Sequence, residues 1–255
     1  MSSQGLLVRQ VRYTNKAFWR NPASAFFTFA FPLIFLVIFT SLIKGSTRVG
    51  GIVYDNATYF TSAMGAFGVI TACYTNIAIS IVFARDAGIL KRIRGTPLPA
   101  GVYLSARVVH AMIVGLVLVG ITIVFGILRF SIELPSGIWA LRYLVALLVG
   151  AGCFAALGLA VSGLVPNADA GPPIVNAIIL PLLFLSGVFF PIGDDAPRWV
   201  TVVGDVFPVK HFLDATRDSF LRSPGFSWSD VAVVAIWLIA GAVVATRTFR
   251  WESER

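Results

Sequence analysis

The sequence predicts an all-α membrane protein with six transmembrane helices. Three observations carry this. Six stretches of near-continuous apolar sequence are each long enough to cross a bilayer, which takes about 20 apolar residues at 1.5 Å rise each. Hydrophobic residues make up 57% of the chain and charged residues 13%, with a mean hydropathy of +0.85, whereas a soluble domain carries about a quarter charged residues. The apolar runs do not alternate, so they are not the roughly ten-residue segments of a β-barrel; helices satisfy the backbone inside lipid. The spans use more than half of the 255 residues, which leaves a single transmembrane domain over 1–255.

Residues 6–20 precede the first span as an amphipathic helix. At 100° per residue, Arg9, Arg12, Lys16 and Arg20 fall within about 80° of one another, opposite Leu7, Val11, Thr14 and Phe18, the pattern of a helix lying at the membrane surface. Asn21-Pro22 ends it, because the residue before proline avoids α geometry. No short apolar core with a small-residue cleavage site occurs here, so the first span is expected to act as an uncleaved targeting signal.

The spans are expected at Ala23–Ile43, Ala57–Phe83, Val108–Leu128, Tyr143–Val165, Gly171–Phe190 and Val231–Phe249. Pro32 predicts a kink in the first. The second is the most polar, with Thr58, Thr61, Ser62, Thr71, Tyr74, Thr75, Asn76 and Ser80. Such groups cost free energy against lipid and so face protein or a water-lined path. The fourth pairs small residues four apart, Ala151/Ala155, Gly152/Ala156 and Gly158/Ser162, which allows close helix packing. The fifth opens on Gly171-Pro172-Pro173, suited to a helix start, and Pro181 predicts a break or kink. Cys73 and Cys153 fall inside spans and read as small buried apolar side chains.

Charge placement sets the orientation. With a cytoplasmic N-terminus, 12 of the 20 Lys and Arg fall on inside segments, and the whole formal charge of +8 sits on that face. The N-terminal segment and the 84–107 loop hold nine of these, so the positive-inside rule places both termini in the cytoplasm. The basic character is then a topology signal that also attracts anionic lipid headgroups, and nucleic acid is not an expected partner.

Two connections carry more structure than a loop needs. After the second span, residues 85–94 form a short helix with Ile89, Leu90 and Ile93 on one side and Lys91, Arg92 and Arg94 on another, ended by Gly95. A rigid charged helix of this kind suits a partner protein. The long outside segment 191–228 reads as two amphipathic helices separated at Pro208, with helical pair spacing at Lys210/Asp214 and Asp214/Arg217.

The absences are informative. No span has a charged side chain at its centre, as ion-coupled transporters commonly do; Asn76 and Asn176 are the strongest buried polar groups there, and His110 and His211 read as structural. No phosphate loop, HExxH, GxSxG or zinc-spaced cluster occurs. Asp194 and Asp195 are adjacent, so their side chains point apart and make a poor catalytic pair.

These residues resemble the permease subunits of ABC-2-type ATP-binding-cassette exporters. The resemblance covers nearly the whole chain. It rests on the basic amphipathic N-terminus, on Asp86-Ala-Gly88-Ile-Leu-Lys91-Arg92 with Thr96-Pro97-Leu98, and on Phe184-Leu-Ser186-Gly187-Val-Phe-Phe-Pro191. Pro197-Arg-Trp199, Pro208 and His211-Phe-Leu-Asp214-Ala-Thr-Arg217 continue it. The family usually has Glu at the position of Asp86.

The resemblance implies a half-transporter in a bacterial plasma membrane. Two permeases, identical or different, pair, and each docks a separate ATPase subunit that holds ATP and Mg, with no cofactor or metal on this chain. Arg85, Asp86, Gly88, Lys91, Arg92 and Arg94 are then expected in the coupling helix. Arg9, Arg12, Lys16 and Phe18 are expected in the interface helix, and 191–228 as external re-entrant helices. Tyr74, Thr75, Asn76, Asn176 and Ser186 are the expected path residues, with Phe27, Phe31 and Phe35 as a possible apolar wall or as ordinary packing. The cargo would be an amphipathic drug, a lipid or a lipid-linked glycan. An ion-gradient-driven transporter or channel, and a non-transporting membrane assembly factor, remain the alternatives.

Overall fold

A rod of 31 residues, Asn56–Asp86, forms the centre of the bundle. Buried positions make up 67% of its apolar window, against 22% and 17% for the first and last spanning helices. The computed structural model describes residues 3–49, 52–193 and 196–249. Asp194 and Asp195, and the charged Arg250, Glu252, Glu254 and Arg255, lie outside the described residues.

Helix α1 (Ser3–Trp19) has the expected two faces: Leu7, Val11, Thr14 and Phe18 are half-buried while Arg9, Arg12 and Lys16 are exposed. Asn21 starts α2 (Pro22–Leu42). Its Oδ1 accepts the Ser24 N–H at 3.2 Å, and Pro22 occupies the first turn, where no N–H is needed. The helix runs through Pro32. A hairpin follows that the reading above lacks: β1 (Ser46–Val49) pairs antiparallel with β2 (Ile52–Asp55), Arg48 opposite Val53. Its signal was present in two short strand-forming runs on either side of Gly50-Gly51.

Asp55 caps the central rod, its Oδ2 accepting from the N–H and hydroxyl of Thr58 at 3.1 Å each. The rod comprises α3 (Asn56–Ile70), a π-helical turn (Thr71–Thr75) and α4 (Asn76–Asp86). Gly88 leads into α5 (Ile89–Arg94), and α6 (Ala100–Phe130) starts well before the expected Val108. Then come α7 (Ile138–Ser162), α8 (Gly171–Phe184), α9 (Arg198–Val206), α10 (Pro208–Phe220) and α11 (Trp228–Thr248). The rod packs on α2, α6 and α7, α7 lies along α11, and α1 lies across α6.

Among the described residues five helices are long and apolar enough to cross a membrane: α2, the rod, α6, α7 and α11. The expected fifth span corrects to something shorter. α8 is apolar but has 14 residues, about 21 Å against a hydrocarbon core of about 30 Å. The break also falls later than Pro181. The helix continues through that residue, Leu185 N–H donates to its carbonyl at 2.9 Å, and the chain turns at Gly187 with φ +84°. Pro181 removes only its own N–H, whereas a left-handed residue reverses the chain.

Close packing in α7 explains its small residues. A Cβ on Gly158 would come within 2.6 Å of the Tyr74 carbonyl oxygen, a backbone atom that cannot swing aside, while one on Gly152 would meet Leu238 at an ordinary 3.5 Å. Gly158→Ala is therefore expected to cost about 1–3 kcal/mol through overpacking. Gly152→Ala is expected to be neutral or to gain up to about 1 kcal/mol from helix propensity. Thermal melting of the two purified variants checks this, and equal losses would remove close approach as the reason.

A groove beside a broken helix as the candidate functional site

The rod is broken at its middle without proline or glycine. Asn76 N–H reaches back five residues to the Thr71 carbonyl, the bond of a π turn. Thr71 Oγ1 donates to the carbonyls of Phe67 (3.0 Å) and Gly68 (3.1 Å), a back-bonding that competes with the regular ladder. The consequence is geometric. Positions four apart on an α-helix drift around the axis by about 40° per step, and a wider turn takes part of that drift back. Phe67, Thr71, Thr75, Ile79 and Phe83 thus stay on one side of the rod, joined by Asn76 and Ser80.

That side forms one wall of a groove of about 470 Å³. Ser24, Phe27, Thr28, Phe31 and Pro32 of α2 form the other. Phe27 and Phe31 are largely exposed. The groove is apolar along its length with a polar strip of Thr71, Thr75, Asn76 and Ser80, as suits an amphipathic occupant. Toward the end of α2 it meets a cluster of packed rings: Phe35 lies 5.5 Å from Phe39, stacked, and 6.2 Å from Phe67, edge-on, and Phe189 lies tilted 5.3 Å from Phe67 and 4.9 Å from Phe184. Phe189 is placed there by the turn after α8, which Tyr59 Oη holds by donating to the Gly187 carbonyl at 2.7 Å. At its other end the groove shares Ser24, Asn76 and Ser80 with a second cavity beneath α1.

Of the expected path residues, Thr75 and Asn76 line the groove, while Tyr74, Asn176 and Ser186 lie elsewhere. Tyr74 is buried toward α7, where its carbonyl faces Gly158, and its hydroxyl has no partner among the described residues. A step of one residue around a helix changes face, and the π turn fixes which. Ser186 is buried in the turn after α8, and Asn176 is half-buried on α8 outside the groove lining. Ser24, Thr28 and Ile79 were missed; four-residue spacing on both helices was their signal.

The 85–94 segment also divides. Arg85 belongs to the last turn of α4 and is 4% exposed. Its Nη1 donates to the Ser162 carbonyl at 2.9 Å and its Nη2 to the Val165 carbonyl, so it ties the rod to the end of α7, whose last carbonyls lack helical partners. Asp86 ends α4. Gly88 takes φ +68°, and beyond it α5 exposes Lys91, Arg92 and Arg94 while Leu90 is fully buried. On α1, Phe18 packs its ring 5.6 Å from His110.

The helices after α8 hold a compact ion network. Arg217 lies 2.9 Å from both Asp214 and Asp218, under the Tyr54 ring of β2 at 5.5 Å. Lys210 pairs with Asp205 of α9 at 2.5 Å rather than with Asp214, because Gly204 leaves room for its stem to cross toward α9. His211 faces Asp230 Oδ1 at 2.6 Å through Nδ1 and the Asp205 carbonyl at 2.9 Å through Nε2; only the imidazolium donates from both nitrogens. Burial alone would lower its pKa, but those bonds and nearby carboxylates hold it above the ordinary value. Burial pushes the Asp214 carboxyl up to about 6 against the pull of Arg217.

Both shifts have the same sign for stability. Asp214 binds its proton more tightly when folded, so stability falls as pH rises from about 4 to about 6. His211 contributes fully below its unfolded value of about 6.5 and loses its contribution as pH rises through its higher folded value. The α9–α10 segment is therefore expected to resist proteolysis and hydrogen exchange better at pH 5.5 than at pH 8. Slower exchange at pH 8, after correction for the intrinsic rate, would contradict this.

The description of ABC-2 type transporters matches residues 6–221. The chain belongs to this family. The relative named "Putative transport permease YvfS" of Bacillus subtilis (strain 168) is 25% identical over 220 residues, covering 86% of this chain and 87% of the relative. The daunorubicin resistance ABC transporter permease protein DrrB1 of Streptomyces coeruleorubidus is 25% identical over 224 residues, 86% of this chain and 76% of that one. Nodulation protein J of Rhizobium leguminosarum bv. viciae is 30% identical over 113 residues, 44% of this chain and 43% of its own length. The chain is thus a membrane permease subunit of the ABC-2 type.

Proposed function

We propose that this permease is the transmembrane half of an ATP-driven exporter for an amphipathic drug, lipid or lipid-linked glycan. A separate cassette ATPase docks on α5, ATP and Mg stay on that subunit, and two permeases pair with their α2 and rod grooves toward each other. In this reading the chain crosses a bacterial inner membrane six times, α8 and its following turn completing one crossing, with both termini cytoplasmic. α1 is the interface helix, and α9–α10 re-enter the outer leaflet.

One observation supports the reading most. α5 hangs on the end of α4 through Gly88, and α4 carries Asn76, Ile79, Ser80 and Phe83 of the groove wall. A push on α5 is thereby a push on the groove. Arg85 clamps the α4 end to α7, so the push is passed up the rod rather than lost in local bending. Closure of two ATPases on ATP would move both α5 helices, shift the rods about the π turns and part the phenylalanine cluster.

Charge reversal at Lys91 and Arg92 tests this. The double variant Lys91→Glu/Arg92→Glu is expected to fold normally, to lose co-purification with the ATPase and to lower ATP-dependent efflux at least about tenfold, several surface pairs of up to about 1 kcal/mol being inverted together. Arg85→Met is expected to do the reverse: it removes charge-assisted bonds of about 1.5–3 kcal/mol each, lowers thermal stability and leaves ATPase docking in place. Unchanged efflux in the double variant would end the coupling role of α5.

A further inference from the structure

The cavity beneath α1 has features that the transport cycle just described does not use. It holds about 400 Å³ between α1, α4, α5 and α6, and shares Ser24, Asn76 and Ser80 with the lining of the groove. Its lining differs in kind from the groove. Gln10, Asn21 and Asn76 bring amides to it, and Arg107 and His110 come from successive turns of one face of α6. No Asp or Glu is among its lining residues.

Arg107 is half-buried and has no carboxylate partner among the described residues. Its Nε and Nη2 both donate to the neutral Tyr103 hydroxyl, at 3.2 and 2.8 Å. The guanidinium also lies 5.3 Å from the centre of the Tyr103 ring, so it has two donors satisfied and a partial cation–π compensation but no full negative charge beside it. His110, 6% exposed, has an Nε2 with no hydrogen-bond partner among the described residues. A partly desolvated guanidinium is costly unless an anion completes it, guanidinium matches phosphate and carboxylate geometry, and His110 in its Nε2–H tautomer would add a donor to the same anion.

We propose that this cavity is the subsite for the acidic headgroup of an amphiphile, phosphate or carboxylate, whose apolar body lies in the adjoining groove. This rests on the exporter reading and deepens it, by choosing the sign of the cargo's charge. The polar strip at Asn76 and Ser80 marks the junction of head and tail. A cationic amphiphile of the same shape would meet Arg107 and find no carboxylate, so the site discriminates by repulsion as well as attraction.

The test uses the full chain in neutral phosphatidylcholine nanodiscs, without an ATPase. The probes are octyl phosphate, octanoate and octyltrimethylammonium below their micellar concentrations, and inorganic phosphate. Both acidic probes are expected to bind at least about tenfold tighter than the cation, and octyl phosphate at least about tenfold tighter than inorganic phosphate, as a charge-assisted contact and a buried tail each require. Arg107→Gln is expected to erase the preference for acid, and Arg107→Lys to keep most of it. Gln10→Glu, which adds a carboxylate from the surface helix without touching α6, is expected to weaken octyl phosphate about tenfold; it keeps the test decisive if Arg107→Gln fails to fold. Equal binding of acidic and cationic probes, or a preference that survives both Arg107→Gln and Gln10→Glu, overturns the proposal. Inorganic phosphate binding as tightly as octyl phosphate would overturn the amphiphile in favour of a free anion. Absence of any acid preference in the unaltered chain, with its ATP-coupled efflux intact, would sink this inference alone, whereas efflux insensitive to Lys91→Glu/Arg92→Glu would sink the exporter reading.

Discussion

Gly88→Pro is expected to abolish ATP-driven transport while the bundle stays folded. Gly88 has φ +68° and ψ +12° between α4 and α5, and its carbonyl receives the first α5 bond, from Arg92 N–H at 3.2 Å. Proline is fixed near φ −65° and cannot take that conformation, so α5 must leave its seat. Leaving it exposes Leu90, now fully buried, at about 1.5–3 kcal/mol, and turns Lys91 and Arg92 away from a docked partner. Gly88→Ala separates strain from displacement. An alanine held in the left-handed region costs about 1–2 kcal/mol, so α5 stays seated in a weakened but present fraction of molecules. The expected order is wild type, then Gly88→Ala with a drop of a few-fold, then Gly88→Pro with at least about a hundredfold loss, the equivalent of about 2.7 kcal/mol or more. Efflux per ATP hydrolysed, measured in reconstituted vesicles, is the readout. Full coupling in Gly88→Pro would mean that α5 carries no motion.

Thr75→Trp is expected to stop transport by a different route. Thr75 lies in the π turn and faces Phe31 and Pro32 across the groove. An indole there fills space that cargo would occupy, without touching α5, so ATPase docking should persist while efflux falls at least about tenfold. Tyr74→Phe is the matched control one residue away. Tyr74 is buried, its backbone lies against Gly158 of α7, and its hydroxyl has no partner among the described residues, so removing that oxygen should leave efflux unchanged and stability equal or slightly higher. If the two variants lowered efflux alike, the groove would not be the path. Docking lost in Thr75→Trp would show instead that the π turn is coupled to α5 statically.

The chain discloses its spans more readily than its site. Runs such as Val108–Leu128 stand out because lipid imposes a length and a polarity on every crossing helix. The basic stripe of α1 was legible for the same reason, since a helical period of 3.6 fixes which side chains share a face. The π turn was not legible: nothing in Thr-Ala-Cys-Tyr-Thr forbids a regular helix, and the break depends on Thr71 choosing carbonyls within its own helix and on Gly158 admitting the Tyr74 backbone. Tyr74 was therefore assigned to the path by its polarity, although it is its neighbour Thr75 that lines the groove. Arg85 shows a similar limit. Read as sequence it is one more cation in a basic loop; its burial follows from free carbonyls at the end of α7, far along the chain.

The central claim is that α5 lies on the cytoplasmic side as the contact for a partner ATPase. Labelling of Arg92→Cys tests it most directly, since Cys73 and Cys153 are buried and a membrane-impermeant maleimide would report the new thiol. The account predicts labelling in inside-out vesicles, none in sealed right-side-out vesicles, and protection when the ATPase is bound. Labelling from the outer surface, or labelling from the inside that a bound ATPase leaves unchanged, would contradict it.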